Sequence, residues 1–249
     1  DLDFVKKQMS YSVKTMSEIS IPASDGGEFS AYLATPADVP AGGAPGLVLI
    51  QEIFGVNQEM RDRADRFAAE GFAVLCPDLF WRQEPGVQLT DQSKEEWDKA
   101  FALYQGFHEA KGVQDLIAAL FCLRGLPECS GKAGAVGYCL GGKLSYLMAT
   151  RSDVDCAVAY YGVGIEAALE EANAILRPLL MHIAEEDQFV SKEAQGEIIE
   201  ALGRHHCVTL HSYPGVDHAF ARTNGVTYDE KAAALAGQRS LAFLKEHLG

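Results

Sequence analysis

Short apolar runs alternate with longer amphipathic segments along most of this chain. The runs are apolar at nearly every position, which is typical of strands that are covered on both faces of a sheet. They cover residues 46–50, 72–76, 133–138, 156–161, 179–183 and 208–213. The segments between them have helical spacing, and we predict helices over residues 58–70, 94–107, 109–123, 140–150, 192–203 and 228–247.

The first part of the chain has a different pattern. Residues 28–34 alternate between apolar and polar side chains, and a turn signal, Asp25-Gly26-Gly27, precedes them. We therefore expect an antiparallel hairpin whose other strand covers residues 13–20. Strands and helices then alternate, which predicts an α/β fold with a mostly parallel, doubly wound sheet and helices on both faces.

No internal repeat and no long linker interrupts this order of elements. The loop over residues 37–45 is rich in Pro, Gly and Ala, but it is too short and too close to the N-terminus to separate two domains. The predicted organisation is a single domain over residues 1–249.

The composition narrows the class of protein. The 249 residues are 48% hydrophobic and carry a net charge of −14, which excludes a disordered chain and a small disulfide scaffold. An acidic surface repels nucleic acid and anionic membranes, and no apolar run is long enough to span a bilayer, so we expect neither partner. The six cysteines form no CxxC pair, so we expect reduced thiols in a cytoplasmic protein. We also expect this protein to be a monomer. The first residues include neither an initiator Met nor an apolar signal segment, so we expect that the chain has been trimmed.

One cysteine directly follows a predicted strand and directly precedes a predicted helix. The local sequence is Gly137-Tyr138-Cys139-Leu140-Gly141, which is the G-x-nucleophile-x-G pattern with cysteine in place of serine. Small residues on both sides permit the sharp turn that exposes the nucleophile above the sheet, and the helix N-terminus favours a thiolate. The backbone N–H of Leu140 then points towards the place where an oxyanion would form. The alternative is a buried cysteine in a Gly-rich turn without a catalytic role.

An acidic residue and a histidine follow two later strands, in the chain order that such a triad requires. Asp187 follows one of these strands and His218 follows the next. We predict that His218 exchanges protons with Cys139 and that Asp187 orients the imidazole ring. Glu186 and Asp217 remain competitors for the role of the acid.

Several longer strings resemble those of dienelactone hydrolases, also called carboxymethylenebutenolidases. They are Gln51-Glu52-Ile53-Phe54-Gly55-Val56-Asn57, Cys76-Pro77-Asp78-Leu79, Gly137-Tyr138-Cys139-Leu140-Gly141-Gly142, Tyr160-Tyr161-Gly162-Val163-Gly164, Asp187-Gln188-Phe189-Val190 and Asp217-His218-Ala219-Phe220-Ala221-Arg222. The similarity runs from about residue 12 to the C-terminus. It implies an α/β-hydrolase fold and a Cys-His-Asp triad formed by Cys139, His218 and Asp187.

The resemblance also implies a second acidic group beside the thiol. This group is Glu52, which would hold the resting thiol and swing away when substrate binds. Arg82 and Arg222 match the positions that bind the carboxylate of the substrate. From the residues alone, the N–H of Ile53 is placed to be a second oxyanion donor, and two arginines at the mouth of an acidic protein would form a local anion trap. The alternatives are a plain ion pair in a loop for Glu52 and surface ion pairs for the two arginines.

Two residues depart from the family pattern. Trp81 stands before Arg82, where a smaller residue is expected, and Lys143 lies one turn into the helix that follows Cys139. We expect the bulk of Trp81 to change the shape of the substrate pocket.

The resemblance implies one reaction. It is hydrolysis of the lactone ring of dienelactone, a small anionic substrate from chloroaromatic degradation, to maleylacetate through a thioester intermediate on Cys139. One alternative is a broader esterase or thioesterase with the same triad. Another is a redox-sensing protein that uses Cys139 without turnover. We expect no metal and no cofactor, because the sequence shows no histidine ligand spacing, no P-loop and no GxGxxG fingerprint.

Overall fold

An eight-stranded sheet forms the centre of the protein. The structure is a computed structural model that describes residues 13–249, with side chains from residue 17 onwards. The strands are β1 (Val13–Pro22), β2 (Glu28–Pro36), β3 (Ala44–Ile50), β4 (Ala73–Pro77), β5 (Cys129–Tyr138), β6 (Ala157–Tyr160), β7 (Leu179–Ala184) and β8 (Val208–Tyr213). Their order in the sheet is β1-β2-β4-β3-β5-β6-β7-β8.

The helices connect the strands of the parallel part of this sheet. They are α1 (Gln58–Ala69), α2 (Lys94–Gln105), α3 (Glu109–Gly125), α4 (Leu140–Arg151), α5 (Lys192–Leu202) and α6 (Glu230–Leu248). The β1–β2 and β2–β4 pairs are antiparallel, whereas the neighbours from β4 to β8 are parallel. The predicted N-terminal hairpin and the mostly parallel sheet are therefore confirmed.

Polar side chains fix where several helices begin. Asn57 accepts a hydrogen bond from the backbone N–H of Met60 at the start of α1, and Asp229 does the same for Ala232 at the start of α6. The cap at Asp229 explains why α6 begins at Glu230 and not at residue 228 as we predicted. A 3₁₀ helix over Glu166–Ala174 was not predicted.

The burial of the strands follows their place in the sheet. Every residue of β4 and β7 is buried, as their continuous apolar runs predict. The prediction of two covered faces was wrong for β8, in which only Tyr213 is buried. β8 is the last strand of the sheet and is only partly covered, which fits its polar residues Thr209, His211 and Ser212.

The parallel strands bring the candidate chemical groups to one edge of the sheet. Glu52, Cys139, Asp187 and His218 follow β3, β5, β7 and β8 respectively. Since the carboxyl ends of parallel strands meet at the same edge, these side chains converge there. None of the helices between residues 13 and 249 has the length and apolar character that a bilayer crossing requires.

Candidate active site

Cys139 occupies a strained turn between β5 and α4. Its backbone has φ 57° and ψ −115°, a left-handed conformation that a non-glycine residue rarely adopts. A Cβ on Gly137 would lie 1.9 Å from the carbonyl oxygen of Gly141, and a Cβ on Gly141 would lie 2.3 Å from the carbonyl oxygen of Ile50. The two glycines therefore let α4 approach β5 and β3 closely enough to form the turn.

The predicted oxyanion donors lie beside this turn. Leu140 is the first residue of α4, so its backbone N–H has no acceptor within the helix. Leu140 and Ile53 line the same cavity as Cys139. The arrangement brings two backbone segments to the thiol, and the N-terminus of α4 stabilises negative charge at this position.

His218 and Asp187 form a buried pair. The Nδ1 atom of His218 lies 2.9 Å from Oδ2 of Asp187, and the two side chains are 3% and 1% exposed. The other oxygen of Asp187 accepts hydrogen bonds from the backbone N–H groups of Phe189 and Val190. Because its carboxylate is held on both sides, Asp187 fixes the orientation of the imidazole ring.

The two competing acids have other contacts. Glu186 is 59% exposed and pairs with Lys192. Asp217 accepts hydrogen bonds from the backbone N–H groups of Gln188 and His218 and therefore braces the loop. Of the three acids, only Asp187 hydrogen-bonds the His218 ring among the described residues.

The surroundings of His218 favour its charged form. Burial opposes a charge on the ring, but negative charge on Cys139 and the hydrogen bond to Asp187 outweigh burial and raise the pKa of His218 to about 10. The rings of Tyr161 and Phe189 pack edge-on against the imidazole, with centroid distances of 5.1 and 4.9 Å. The Nε2 atom is buried and makes no hydrogen bond with residues 13–249. It is thus available for proton transfer to a bound molecule.

Glu52 pairs with Arg222 and not with the thiol. Nε and Nη2 of Arg222 donate to the two carboxylate oxygens at 2.8 and 3.0 Å, and Glu52 is 2% exposed. Burial tends to raise the pKa of Glu52, but the charge of Arg222 outweighs it and places the pKa below its ordinary value. The expected contact between Glu52 and the resting thiol of Cys139 is therefore not made here, because the guanidinium occupies both carboxylate oxygens.

A second carboxylate on Arg222 was missed from the sequence. Oδ2 of Asp91 accepts a hydrogen bond from Nη1 of Arg222 at 2.8 Å, and it also accepts the backbone N–H of Val226. Asp91 lies in the loop between β4 and α2, where no motif marks it. A short polar segment of the chain does not indicate that Asp91 is buried beside Arg222.

Arg82 does not reach this cavity. Its guanidinium donates to both oxygens of Asp115, a fully buried residue of α3, and to Asp25 in the hairpin turn. It also stacks on the ring of Trp81, 4.3 Å from the ring centroid. The expected contact of Arg82 with substrate is therefore replaced by a structural ion pair, because Asp115 would otherwise be a buried and unpaired carboxylate.

The two unexpected residues also have structural partners. The indole of Trp81 stacks on Phe29 and donates a hydrogen bond to Asp115, so it does not line the cavity at Cys139 as we expected. Lys143 pairs with Glu109 of α3.

The cavity above Cys139 is mostly aromatic. It contains about 410 Å³ of space free of protein atoms, counting its mouth. Cys139, His218 and Arg222 supply its chemically active groups, with Leu140 and Ile53 beside them. Its remaining walls are side chains of α2 and neighbouring loops: Phe54, Trp97, Phe101, Tyr104, Val163 and Phe189.

One group of possible metal ligands lies elsewhere. His205, His206 and Cys207 offer ligand atoms within 4.8 Å of one another in the loop before β8. This loop is at the opposite end of the sheet from Cys139. In the sequence these are three consecutive residues with ligand atoms, and they match no spaced metal-binding motif.

The sheet, the turn at Cys139 and the side chains that follow β7 and β8 define an α/β hydrolase. Its relatives include a protein of Azospirillum brasilense that is 52% identical over 94% of this chain and 100% of its own. The carboxymethylenebutenolidase of Pseudomonas putida is 42% identical over 91% of this chain and 94% of its own. A crystal structure from Klebsiella pneumoniae has a TM-score of 0.82 at 25% identity and covers 94% of this chain and 99% of that one.

The family model "Dienelactone hydrolase family" matches residues 29–248. This chain therefore belongs to the dienelactone hydrolase family, and it is a carboxylic ester hydrolase. The resemblance that the sequence motifs indicated is confirmed.

Proposed function

We propose that this protein hydrolyses dienelactone to maleylacetate with Cys139 as the nucleophile. The Pseudomonas putida relative, 42% identical to this chain, is named for this activity. The observation that carries the proposal is one cavity that combines Cys139, His218 and the buried cation of Arg222. A lactone with a carboxylate needs these three functions: attack, proton transfer and anion binding.

The reaction begins with the thiolate of Cys139. Its sulfur attacks the lactone carbonyl carbon, and the carbonyl oxygen becomes an oxyanion that accepts hydrogen bonds from the N–H groups of Leu140 and Ile53. The ring C–O bond then breaks and releases an enolate, which can take a proton from the His218 imidazolium. A thioester on Cys139 remains.

The second half of the reaction restores the enzyme. His218, now neutral, removes a proton from a water molecule, whose oxygen attacks the thioester carbonyl. The C–S bond breaks and the sulfur leaves as a thiolate beside the imidazolium. Asp187 stays ionised throughout and stabilises the charged ring.

A thiolate suits this substrate class for a chemical reason. It is itself easily expelled from a tetrahedral intermediate, so it needs a substrate with a better leaving group than an amine. The ring oxygen of dienelactone leaves as a resonance-stabilised enolate and meets that requirement.

Arg222 is the group that we propose for the substrate carboxylate. Its guanidinium has five N–H donors, of which three contact Glu52 and Asp91, so two remain for a ligand in the cavity. Glu52 accepts two of these hydrogen bonds, from Nε and Nη2, and so fixes the plane of the guanidinium. Its proposed role is therefore to position Arg222 while the site is empty.

A broader esterase on the same triad is the second candidate. The aromatic walls at Phe54, Trp97 and Phe101 favour it, because apolar side chains also accept neutral esters. The two candidates differ in whether the charge of Arg222 contributes to turnover.

One experiment tests the proposal and separates the candidates. Steady-state rates would be measured on dienelactone and on the neutral ester p-nitrophenyl acetate for the wild type, Cys139→Ala and Arg222→Lys. Cys139→Ala should lose turnover of both substrates. Arg222→Lys keeps a cation between Glu52 and Asp91 but loses the planar fork, so kcat/KM for dienelactone should fall about ten- to a hundredfold.

The neutral ester and a second arginine serve as controls. The rate on p-nitrophenyl acetate should be unchanged in Arg222→Lys, and Arg124→Lys, whose guanidinium pairs with Asp153 and Asp155, should behave as the wild type. Turnover retained in Cys139→Ala would contradict the nucleophile. An equal loss on both substrates in Arg222→Lys would favour the broader esterase.

A further inference from the structure

A second and larger cavity lies between α1 and α6. It contains about 1000 Å³ on the same measure as the cavity at Cys139, and it is more open. One face of each helix forms a wall. Arg63, Arg66 and Phe67 of α1, with Glu70 at its C-terminal end, face Glu230, Ala233, Gly237 and Leu241 of α6. We name it the α1–α6 cleft. Small side chains on α6 keep it open.

The floor of the cleft carries two polar groups without partners. Tyr138 is 3% exposed and Arg63 is 5% exposed. The hydroxyl of Tyr138 and Nη1 of Arg63 make no hydrogen bond with any residue whose side chain is described, 17–249, yet neither atom is sealed from solvent. Both residues line this cleft, so the cleft is the route by which a ligand can reach them.

The contacts of Arg63 hold it in place for such a ligand. Nε donates to Oε1 of Glu59, Nη2 donates to the carbonyl oxygen of Ala221, and the guanidinium stacks 3.9 Å from the ring centroid of Tyr138. Nη1 is the end of the guanidinium that has no such contact. Its direction is therefore fixed before any ligand binds, which lowers the entropic cost of binding.

The donors on the floor, not the net charge, favour a carboxylate. Glu59 lies between Arg63 and Arg66, Glu70 at the rim pairs with Lys245, and Glu230 also lines the cleft, so these charges balance. Nη1 of Arg63 is nevertheless a cationic donor, and a carboxylate oxygen accepts a charge-assisted hydrogen bond from it. Above this floor the walls are apolar, with Phe67, Ala233 and Leu241 among them.

We propose that the α1–α6 cleft is a second binding site, for a small carboxylate with a compact apolar body. The carboxylate accepts hydrogen bonds from Nη1 of Arg63 and from the hydroxyl of Tyr138. The apolar body lies between the facing sides of α1 and α6. This site is distinct from the cavity at Cys139, because the two cavities share no lining residue.

The position of the cleft connects it to the catalytic edge of the sheet. Tyr138 directly precedes Cys139, and Ala221, whose carbonyl oxygen Arg63 holds, directly precedes Arg222. A bound carboxylate therefore contacts Tyr138, one residue from the proposed nucleophile, and Arg63, which itself holds the residue before the proposed anion-binding arginine. The binding claim itself does not depend on the proposed reaction.

The test is a calorimetric titration with benzoate, with benzamide as its neutral counterpart. Cys139 is first alkylated with iodoacetamide so that the catalytic cavity is blocked. Benzoate should bind in the millimolar range or tighter, and benzamide at least tenfold more weakly. Tyr138→Phe removes only the hydroxyl and should weaken benzoate binding about three- to tenfold.

Two glycines provide a matched pair of variants. A Cβ added at Gly237 of α6 or at Gly196 of α5 meets nothing within 4 Å, so both sites accept a larger side chain without strain. Gly237→Leu fills the cleft and should weaken benzoate binding more than tenfold, whereas Gly196→Leu should leave it unchanged. The proposal is overturned if Gly237→Leu binds as well as the wild type, if benzamide binds as tightly as benzoate, or if no binding occurs up to about 10 mM.

Discussion

At the scale of single residues, His218 decides the charge state of the site. An unperturbed histidine loses its proton near pH 6.5, but His218 is raised to about 10 by the negative charge of Cys139 and by Asp187, against the effect of burial. A raised pKa means that the ring stays protonated throughout neutral pH and becomes neutral only as the pH rises through about 10. In the proposed reaction the protonated ring then acts first as an acid.

We predict that nitrogen-15 NMR will find both ring nitrogens of His218 protonated from pH 7 to 9. Cys139→Ala should lower the pKa of His218, because the variant removes the largest stabilising charge while burial remains. Asp187→Asn should lower this pKa less. A neutral ring at pH 7 in the wild type would contradict the raised pKa of His218.

Residues also mark the limit of what the sequence predicts about this site. The positions of Cys139, Asp187 and His218 could be predicted because each lies within five residues of the end of a strand, and parallel strands end at one edge. The same rule placed Arg82 at that edge, but it could not show that the Arg82 side chain lies away from the cavity at Cys139. The partner that holds Arg82 is Asp115, a carboxylate on the buried face of α3, and only the packing of α3 against the sheet brings the two together.

At the scale of elements, the close contact between β5 and α4 depends on glycines, which have no side chain. The carbonyl oxygen of Gly141 lies where a Cβ of Gly137 would be, and Ser145 Oγ lies 2.7 Å from the same point. Backbone atoms cannot move aside as a flexible side chain can. The turn between β5 and α4 therefore requires glycine at position 137 for space. The strain at Cys139 lies instead in its backbone torsion angles.

Gly137→Ala should separate α4 from β5 and displace Cys139. We expect a loss of about 3 kcal/mol in the free energy of unfolding and about a hundredfold in kcat/KM on any ester. Urea unfolding and steady-state kinetics measure the two effects. Gly237→Ala in the exposed part of α6 is the matched control, and it should be neutral or up to about 1 kcal/mol more stable because alanine favours a helix. A normal rate in Gly137→Ala would show that the turn tolerates a side chain.

The order and type of the elements were also more predictable than their burial. Continuous apolar runs located the six strands after the hairpin, because a strand covered by helices is apolar at every position. Residues 208–213 in β8 read Val-Thr-Leu-His-Ser-Tyr, with polar side chains at half of the positions, and they lie at the edge of the sheet, where only Tyr213 is buried. The polar positions of this segment already indicate a strand that is not covered on both faces, and the prediction of two covered faces overlooked them.

At the scale of the whole molecule, the acidic surface and the guanidinium of Arg222 act on an anion in opposite directions. The chain carries a net charge of −14, yet Arg222 is buried with Glu52 and Asp91 and offers its remaining donors only inside the cavity. An anionic substrate is thus repelled at long range and bound at short range. Salt screens these two interactions unequally, since the Debye length is about 10 Å at 0.1 M and buried groups are screened much less.

This asymmetry predicts an unusual effect of salt on the proposed reaction. Raising NaCl from about 10 to 200 mM should weaken the long-range repulsion by on the order of 1 kcal/mol and leave the contact with Arg222 nearly unchanged. The value of kcat/KM for dienelactone should therefore rise a few-fold. The rate on p-nitrophenyl acetate, which carries no charge, should stay constant and thereby control for effects of salt on the chemistry. A fall in kcat/KM for dienelactone would instead mean that attraction by the arginine extends beyond the cavity and exceeds the repulsion of the acidic surface.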